Sequence, residues 1–172
     1  MLSRRIFLAA LATAASARAE EVPPLPPSLD QLTALALTRP DGASTTLGAE
    51  VSPGPAIISF WATWCAPCTP EARHFARVRA DISPERLNIV GVNLDRVRDE
   101  AAIARFLSRA QVNFTQLRGD LAAYQAFGGG AQILLPRAFV FAADGTPSAA
   151  FGRYHGGATL RALDRAVEAV LG

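Results

Sequence analysis

The chain has two cysteines, Cys65 and Cys68, and they stand just past a short apolar run, Ala56-Ile57-Ile58-Ser59-Phe60-Trp61. Such a β-branched and aromatic run, broken off from what precedes it by Gly54-Pro55, reads as a central strand buried on both faces. A helix is expected from around Cys65–Ala66 to about Asp81. Strand, turn and helix then place both sulfurs at the first turn of a helix, since two intervening residues let them meet there. A thiolate at Cys65 would face the partial positive charge and free N–H groups of the helix N-terminus. That environment lowers a thiol pKa from ~8.5 toward ~7 or below. Cys65 is the natural attacking group, and Cys68, one turn in, the natural resolving group. Pro67 suits an early helical position, whereas Pro70 predicts a small kink through the loss of a hydrogen bond to Ala66.

With 172 residues, 50% hydrophobic and 19% charged, the chain is long enough for one domain with a real core and too apolar to be disordered. All 17 basic residues are arginine. The absence of lysine excludes Schiff-base chemistry and a Walker-type phosphate loop. Three of the arginines lie in the first 18 residues, and without Met1–Ala19 there are 14 against 15 acids, a net charge of −1. No basic patch remains to suggest a nucleic-acid partner. Two cysteines exclude a disulfide framework and a four-cysteine metal site. A zinc pair would need His74 and His155 as further ligands, and His74 falls on a different helix face from Cys68. Both histidines read as surface or capping residues, and no metal is expected.

Strand and helix signals alternate along the rest of the chain. Leu35–Thr38 and Ser44–Leu47 flank Pro40-Asp41-Gly42 and predict a hairpin. Asn88–Leu94 reads as a second buried strand. Asp99 is placed to cap a helix to about Ala110, with Ile103, Phe106 and Leu107 as its stripe. Leu121–Phe127 reads as a short helix before Gly128-Gly129-Gly130. Ala138–Phe141 and Ala149–Phe151 flank Asp144-Gly145, a hairpin signal. Ala158–Leu171 closes the chain as a helix. This order predicts an α/β domain over residues 29–172, with a mostly parallel sheet, helices on both faces, an antiparallel edge from the final hairpin and an N-terminal hairpin in addition.

Residues 1–19 read as an export signal peptide: Arg4 and Arg5, the apolar run Ile6–Ala15, then Ala17-Arg18-Ala19. The run is about half of the ~20 residues a bilayer span needs, so no stable membrane span is expected after its removal. Ser3-Arg4-Arg5-Ile6-Phe7-Leu8 resembles the twin-arginine consensus, which implies a periplasmic location. Residues 20–28, with Pro23, Pro24, Pro26 and Pro27, read as an extended, poorly packed spacer.

Three segments resemble the thioredoxin-like fold, and within it the TlpA/ResA group of exported thiol-disulfide oxidoreductases. They are Ile58-Ser59-Phe60-Trp61-Ala62-Thr63-Trp64-Cys65-Ala66-Pro67-Cys68, then Glu71, then Pro136-Arg137-Ala138-Phe139-Val140-Phe141 with Asp144-Gly145. The resemblance implies a central mixed sheet, a cis bond before Pro136, and a loop lying against the cysteine pair. Leu135 would then offer backbone groups to an extended substrate segment, and Trp64 would shield the sulfurs. The chain departs from the pattern at Ser59, where thioredoxin has a buried aspartate. Glu71 is therefore the candidate base beneath the pair, its carboxylate expected to repel a thiolate and raise the thiol pKa. It departs again at Arg73 and at Arg137, where the group often has proline and threonine.

The function expected is exchange of protein disulfides at Cys65 and Cys68 without a cofactor, reducing specific substrates, as in cytochrome or metal-centre assembly. A membrane-embedded thiol donor would regenerate the dithiol in the oxidising periplasm. Two other readings stay open: a disulfide-forming oxidase, since the motif serves both directions, and a Cu(I)-binding metallochaperone.

Overall fold

The computed structural model describes residues 23–96 and 99–172; the signal-peptide reading lies outside them. The run Ala56–Trp61 forms β3 and is buried at every position. It pairs in parallel with β4 (Asn88–Asn93) and antiparallel with β6 (Arg137–Phe141). The period of two in a strand sorts its side chains. Ile58 and Phe60 join one core layer with Val90, Val92, Phe139 and Phe141, while Ile57 joins a second with Ile89 and Val140.

Seven strands form one sheet in the order β2-β1-β5-β4-β3-β6-β7. The N-terminal hairpin, β1 (Ala36–Thr38) and β2 (Ser44–Thr46), joins the sheet edge through one pairing of Thr38 with Arg118. That edge is β5 (Thr115–Arg118), a strand the sequence reading lacks. It is four residues long with only Leu117 buried, so it carries no clear period.

Parallel pairing is confined to β3–β4 and β4–β5, and the other contacts are antiparallel. The expectation of a mostly parallel sheet is thereby corrected. The connection from β5 to β6, residues 119–136, holds only the short helix α5 (Leu121–Ala126), and β6 runs opposite to β3. The chain leaving β5 thus enters β6 from the end it has just reached. β7 (Pro147–Gly152) follows as the hairpin partner.

Helices cover both faces. α3 (Cys68–Asp81), α4 (Glu100–Ala110) and α6 (Gly157–Leu171) pack on one, through Phe75, Phe106, Leu163 and Val167. Two single-turn helices, α1 (Leu29–Leu32) and α2 (Leu47–Glu50), lie with α5 on the other. Asp99 caps α4 as expected, accepting the Ala102 N–H at 2.8 Å. Residues 23–28 lack helix and strand, yet Pro26 is buried and the Pro23 ring lies against Gly152. Pro24, Leu25 and Pro27 are exposed.

Candidate active site

Cys65 and Cys68 are joined by a disulfide, 4% and 1% exposed. Two successive turns present them: the Cys65 N–H donates to the Ala62 carbonyl and the Cys68 N–H to the Cys65 carbonyl, each at 3.1 Å. Helix α3 begins at Cys68, three residues later than expected. Pro67 and Pro70 have no N–H to close four-residue bonds, and the Ala66 carbonyl instead accepts from Thr69 at 3.3 Å. Pro70 is thus the third residue of the helix, where an N–H would have no intrahelical partner anyway, so the expected kink is not required. The reactive pair straddles the helix start rather than lying inside it.

Glu71 is 2% exposed. Alternation along β3 turns Ser59 toward α3, and its hydroxyl donates to Glu71 Oε2 at 3.2 Å. Register puts Ser59 between Gly91 and Ala138, whose small size leaves room above it. Burial pushes the Glu71 carboxyl from 4.5 up to about 8, offset in part by the Ser59 hydrogen bond. It is neither a solvated helix residue nor a fixed charge: at neutral pH it mostly holds its proton. The expected repulsion of a thiolate therefore operates only above about pH 8.

Asp95, at the C-terminal end of β4, holds the loop before the cysteines. Its carboxylate accepts from the Thr63 N–H at 3.0 Å, the Thr63 hydroxyl at 3.0 Å and the Asn93 amide at 2.8 Å. Trp61 stacks on Phe106 with centroids 4.1 Å apart and donates its indole N–H to Gln116 at 2.9 Å. Gly91 admits this contact, since a Cβ there would come within 2.5 Å of the Gln116 side chain. Asp95 and Gln116 are absent from the sequence reading. A polar residue at the C-terminal end of a parallel strand is the signal that points to Asp95.

The peptide bond between Leu135 and Pro136 is cis, and Leu135 packs against the apolar cluster that contains both cysteines. The structure thus brings Cys65, Cys68 and Leu135 together. Trp64, next to Cys65 in the chain, is 61% exposed. Tyr124 of α5, also missed from sequence, braces the loop: its hydroxyl accepts the Leu134 N–H at 3.1 Å and donates to the Leu134 carbonyl at 3.2 Å. Gly129 makes that approach possible, because a Cβ would fall 2.2 Å from the Tyr124 ring.

His74 is buried rather than at the surface, its Nε2 2.7 Å from Asp164 of α6. His155 is exposed, and its N–H donates to the Thr159 hydroxyl at 2.9 Å. Among the described residues no group of three or more His, Cys, Asp or Glu is placed to hold a metal ion, and no helix is long and apolar enough to cross a membrane.

Residues 29–146 match the family model described as AhpC/TSA. No curated protein is significantly similar in sequence. Among solved structures, the chain is similar to a secreted Mycobacterium tuberculosis disulfide oxidoreductase homologous to Escherichia coli DsbE: 26% identity, TM-score 0.65, covering 81% of this chain and 98% of that one. It is similar to M. tuberculosis DsbF, solved in mixed oxidized and reduced forms, at 25% identity and TM-score 0.63, over 81% and 96%. A thiol:disulfide interchange protein of the thioredoxin family from Chlorobium tepidum shares the fold at 22% identity and TM-score 0.64, over 90% and 100%.

Proposed function

Because the chain belongs to the AhpC/TSA family and is a thiol-disulfide oxidoreductase of thioredoxin-like fold, we propose that it is a TlpA/ResA-type reductant of specific protein disulfides, acting in the periplasm. The observation that carries this is the nearly buried disulfide at the start of α3, with Leu135 packed against the apolar cluster that holds it and the exposed Trp64 next to Cys65 in the chain.

In the reduced protein, the Cys65 thiolate attacks one sulfur of a substrate disulfide. A mixed disulfide forms and the first substrate thiolate leaves. The Cys68 thiolate then attacks Cys65 Sγ, the second substrate thiolate leaves, and the Cys65–Cys68 bond closes. Two electrons and two protons pass to the substrate. The ionised fraction of Glu71, small at neutral pH and growing as pH rises toward 8, takes the Cys68 proton: a carboxyl at about 8 lies close to an ordinary thiol at ~8.5, so the transfer itself costs little. A substrate segment extended beside Leu135 pairs with its backbone groups. A membrane-embedded thiol donor restores the dithiol, and residues 1–19 direct export.

The reduction potential tests the direction. A value near thioredoxin's ~−270 mV supports a reductant, and one near ~−120 mV overturns it in favour of an oxidase. Cys68→Ser, read alongside, should accumulate reductant-sensitive adducts through Cys65.

A further inference from the structure

Arg137 follows the cis bond and opens β6, opposite Phe60 and Gly152 and on the same face as Phe139. Its side chain is deeply buried, the residue only 7% exposed. Everything that holds it is neutral. Nη1 donates to the Tyr124 hydroxyl and Nη2 to the Gly128 carbonyl, both at 3.2 Å. The rings of Tyr124 and Phe139 each lie 5.2 Å from its central carbon. Nε is buried without a partner. Among the described residues the ion pairs are Arg39–Glu50, His74–Asp164 and Arg118–Glu100, so no carboxylate neutralises Arg137. A buried charge left unpaired is costly, and an apolar side chain of similar volume is commonly no worse for stability. Folding alone does not account for an arginine here.

A cavity of about 670 Å³ opens beside it, lined by Tyr124, Gln132, Leu134, Arg137 and Arg153 among others and, among the described residues, by no acidic one. Arg153 is exposed and has φ 50°, in the left-handed region a non-glycine residue seldom occupies. The cavity shares Ala131, Gln132 and Leu134 with the cleft that reaches Trp64, the residue before Cys65.

We propose that this cavity binds an acidic side chain of the polypeptide whose disulfide reacts at Cys65, with Arg137 as the anchoring cation and Arg153 at the rim. The inference rests on the oxidoreductase reading and adds a substrate class to it: disulfides with an aspartate or glutamate close by in the chain. Guanidinium offers a fork of donors suited to a carboxylate, and only two of the five N–H groups of Arg137 are used. The lining shared with the Trp64 cleft favours a polypeptide, which spans both, over a free small acid.

The test uses pairs of synthetic peptides, each with one internal disulfide and differing only by Glu or Gln at a set distance from a half-cystine. The reduced protein is mixed with each, and the second-order exchange rate is measured. A hydrogen bond to a charged group corresponds to about a tenfold preference or more, so in at least one pair the Glu peptide should react about tenfold faster. Arg137→Met should remove that difference, with the Glu peptide falling to the rate of its Gln counterpart on the same variant, and should not lower the melting temperature. Arg137→Lys should keep part of the preference. Equal rates in every pair overturn the proposal, as does an Arg137→Met variant that slows both peptides alike and melts earlier, the behaviour of a structural residue. If sodium succinate, at matched ionic strength, stabilises the wild type while the peptides show no preference, the ligand is a free acid and the polypeptide assignment fails. If neither peptide exchanges, the oxidoreductase reading is what fails. The cavity is then judged by affinity for the same peptides with serine in place of cysteine, where equal binding of Glu and Gln forms refutes it.

Discussion

Replacing Glu71 by glutamine should make folding stability insensitive to one proton that the wild type must manage in its core. Burial raises the carboxyl from 4.5 to about 8. Below 4.5 the group is protonated in both the folded and the unfolded chain. Between 4.5 and about 8 the unfolded chain has released the proton and the folded chain keeps it, so stability falls as pH rises. At ~1.4 kcal/mol for each pH unit the full loss across that window is about 5 kcal/mol, a large share of a typical ~5–15 kcal/mol. The substituted glutamine is neutral throughout, and its carbonyl can still accept from the Ser59 hydroxyl. The assay is urea unfolding of both oxidised proteins across this range, the intact disulfide keeping the thiols from titrating. Glu50, whose carboxyl is lowered chiefly by its hydrogen bond from Thr45, gives the opposite slope but is common to both proteins and cancels in the difference. The two should be nearly equal in stability near pH 4 and differ by about 5 kcal/mol near pH 9, the glutamine variant being the more stable. A difference that stays flat with pH would refute the burial argument and, with it, the role of Glu71 as a matched proton acceptor for Cys68.

Three further outcomes are expected. Trp64→Ala should change stability by less than about 0.5 kcal/mol, because the ring is exposed, yet slow exchange with protein disulfides while leaving the reaction with dithiothreitol unchanged; stopped-flow kinetics on both substrates decide it. Tyr124→Phe removes the hydroxyl shared by Leu134 and Arg137, and should cost about 1–2 kcal/mol in urea unfolding and speed amide exchange at Leu134. Changing Arg4 and Arg5 to lysine keeps the charge but not the guanidinium pair, so export by the twin-arginine route should stop; unchanged periplasmic levels on fractionation would exclude that route.

Several features follow from local pattern alone. Ala56–Trp61 is buried at every position because its side chains are apolar or small on both faces, and the cysteine pair lies at its end because a strand must hand over to a helix there. Asp99 caps α4 because a short acceptor next to free N–H groups acts within one turn. Other features depend on residues distant in sequence. β5 exists because β4 and β1 flank it, not because Thr115-Gln116-Leu117-Arg118 has a period of its own. The direction of β6 shows only in its antiparallel pairing with β3, which is distant in sequence. The helix spacing placed Glu71 near Cys68, but the carboxyl is raised only because the packing of α3 on the sheet buries it, while the hydroxyl of Ser59, twelve residues earlier, offsets part of that shift. Arg137 reads from sequence as a departure from a family pattern. Its lack of an ionic partner among the described residues is a property of the surrounding surfaces, Tyr124, Gly128 and Phe139, which enclose the charge without neutralising it. Desolvation and pairing depend on what the whole fold brings close, and no local periodicity encodes them.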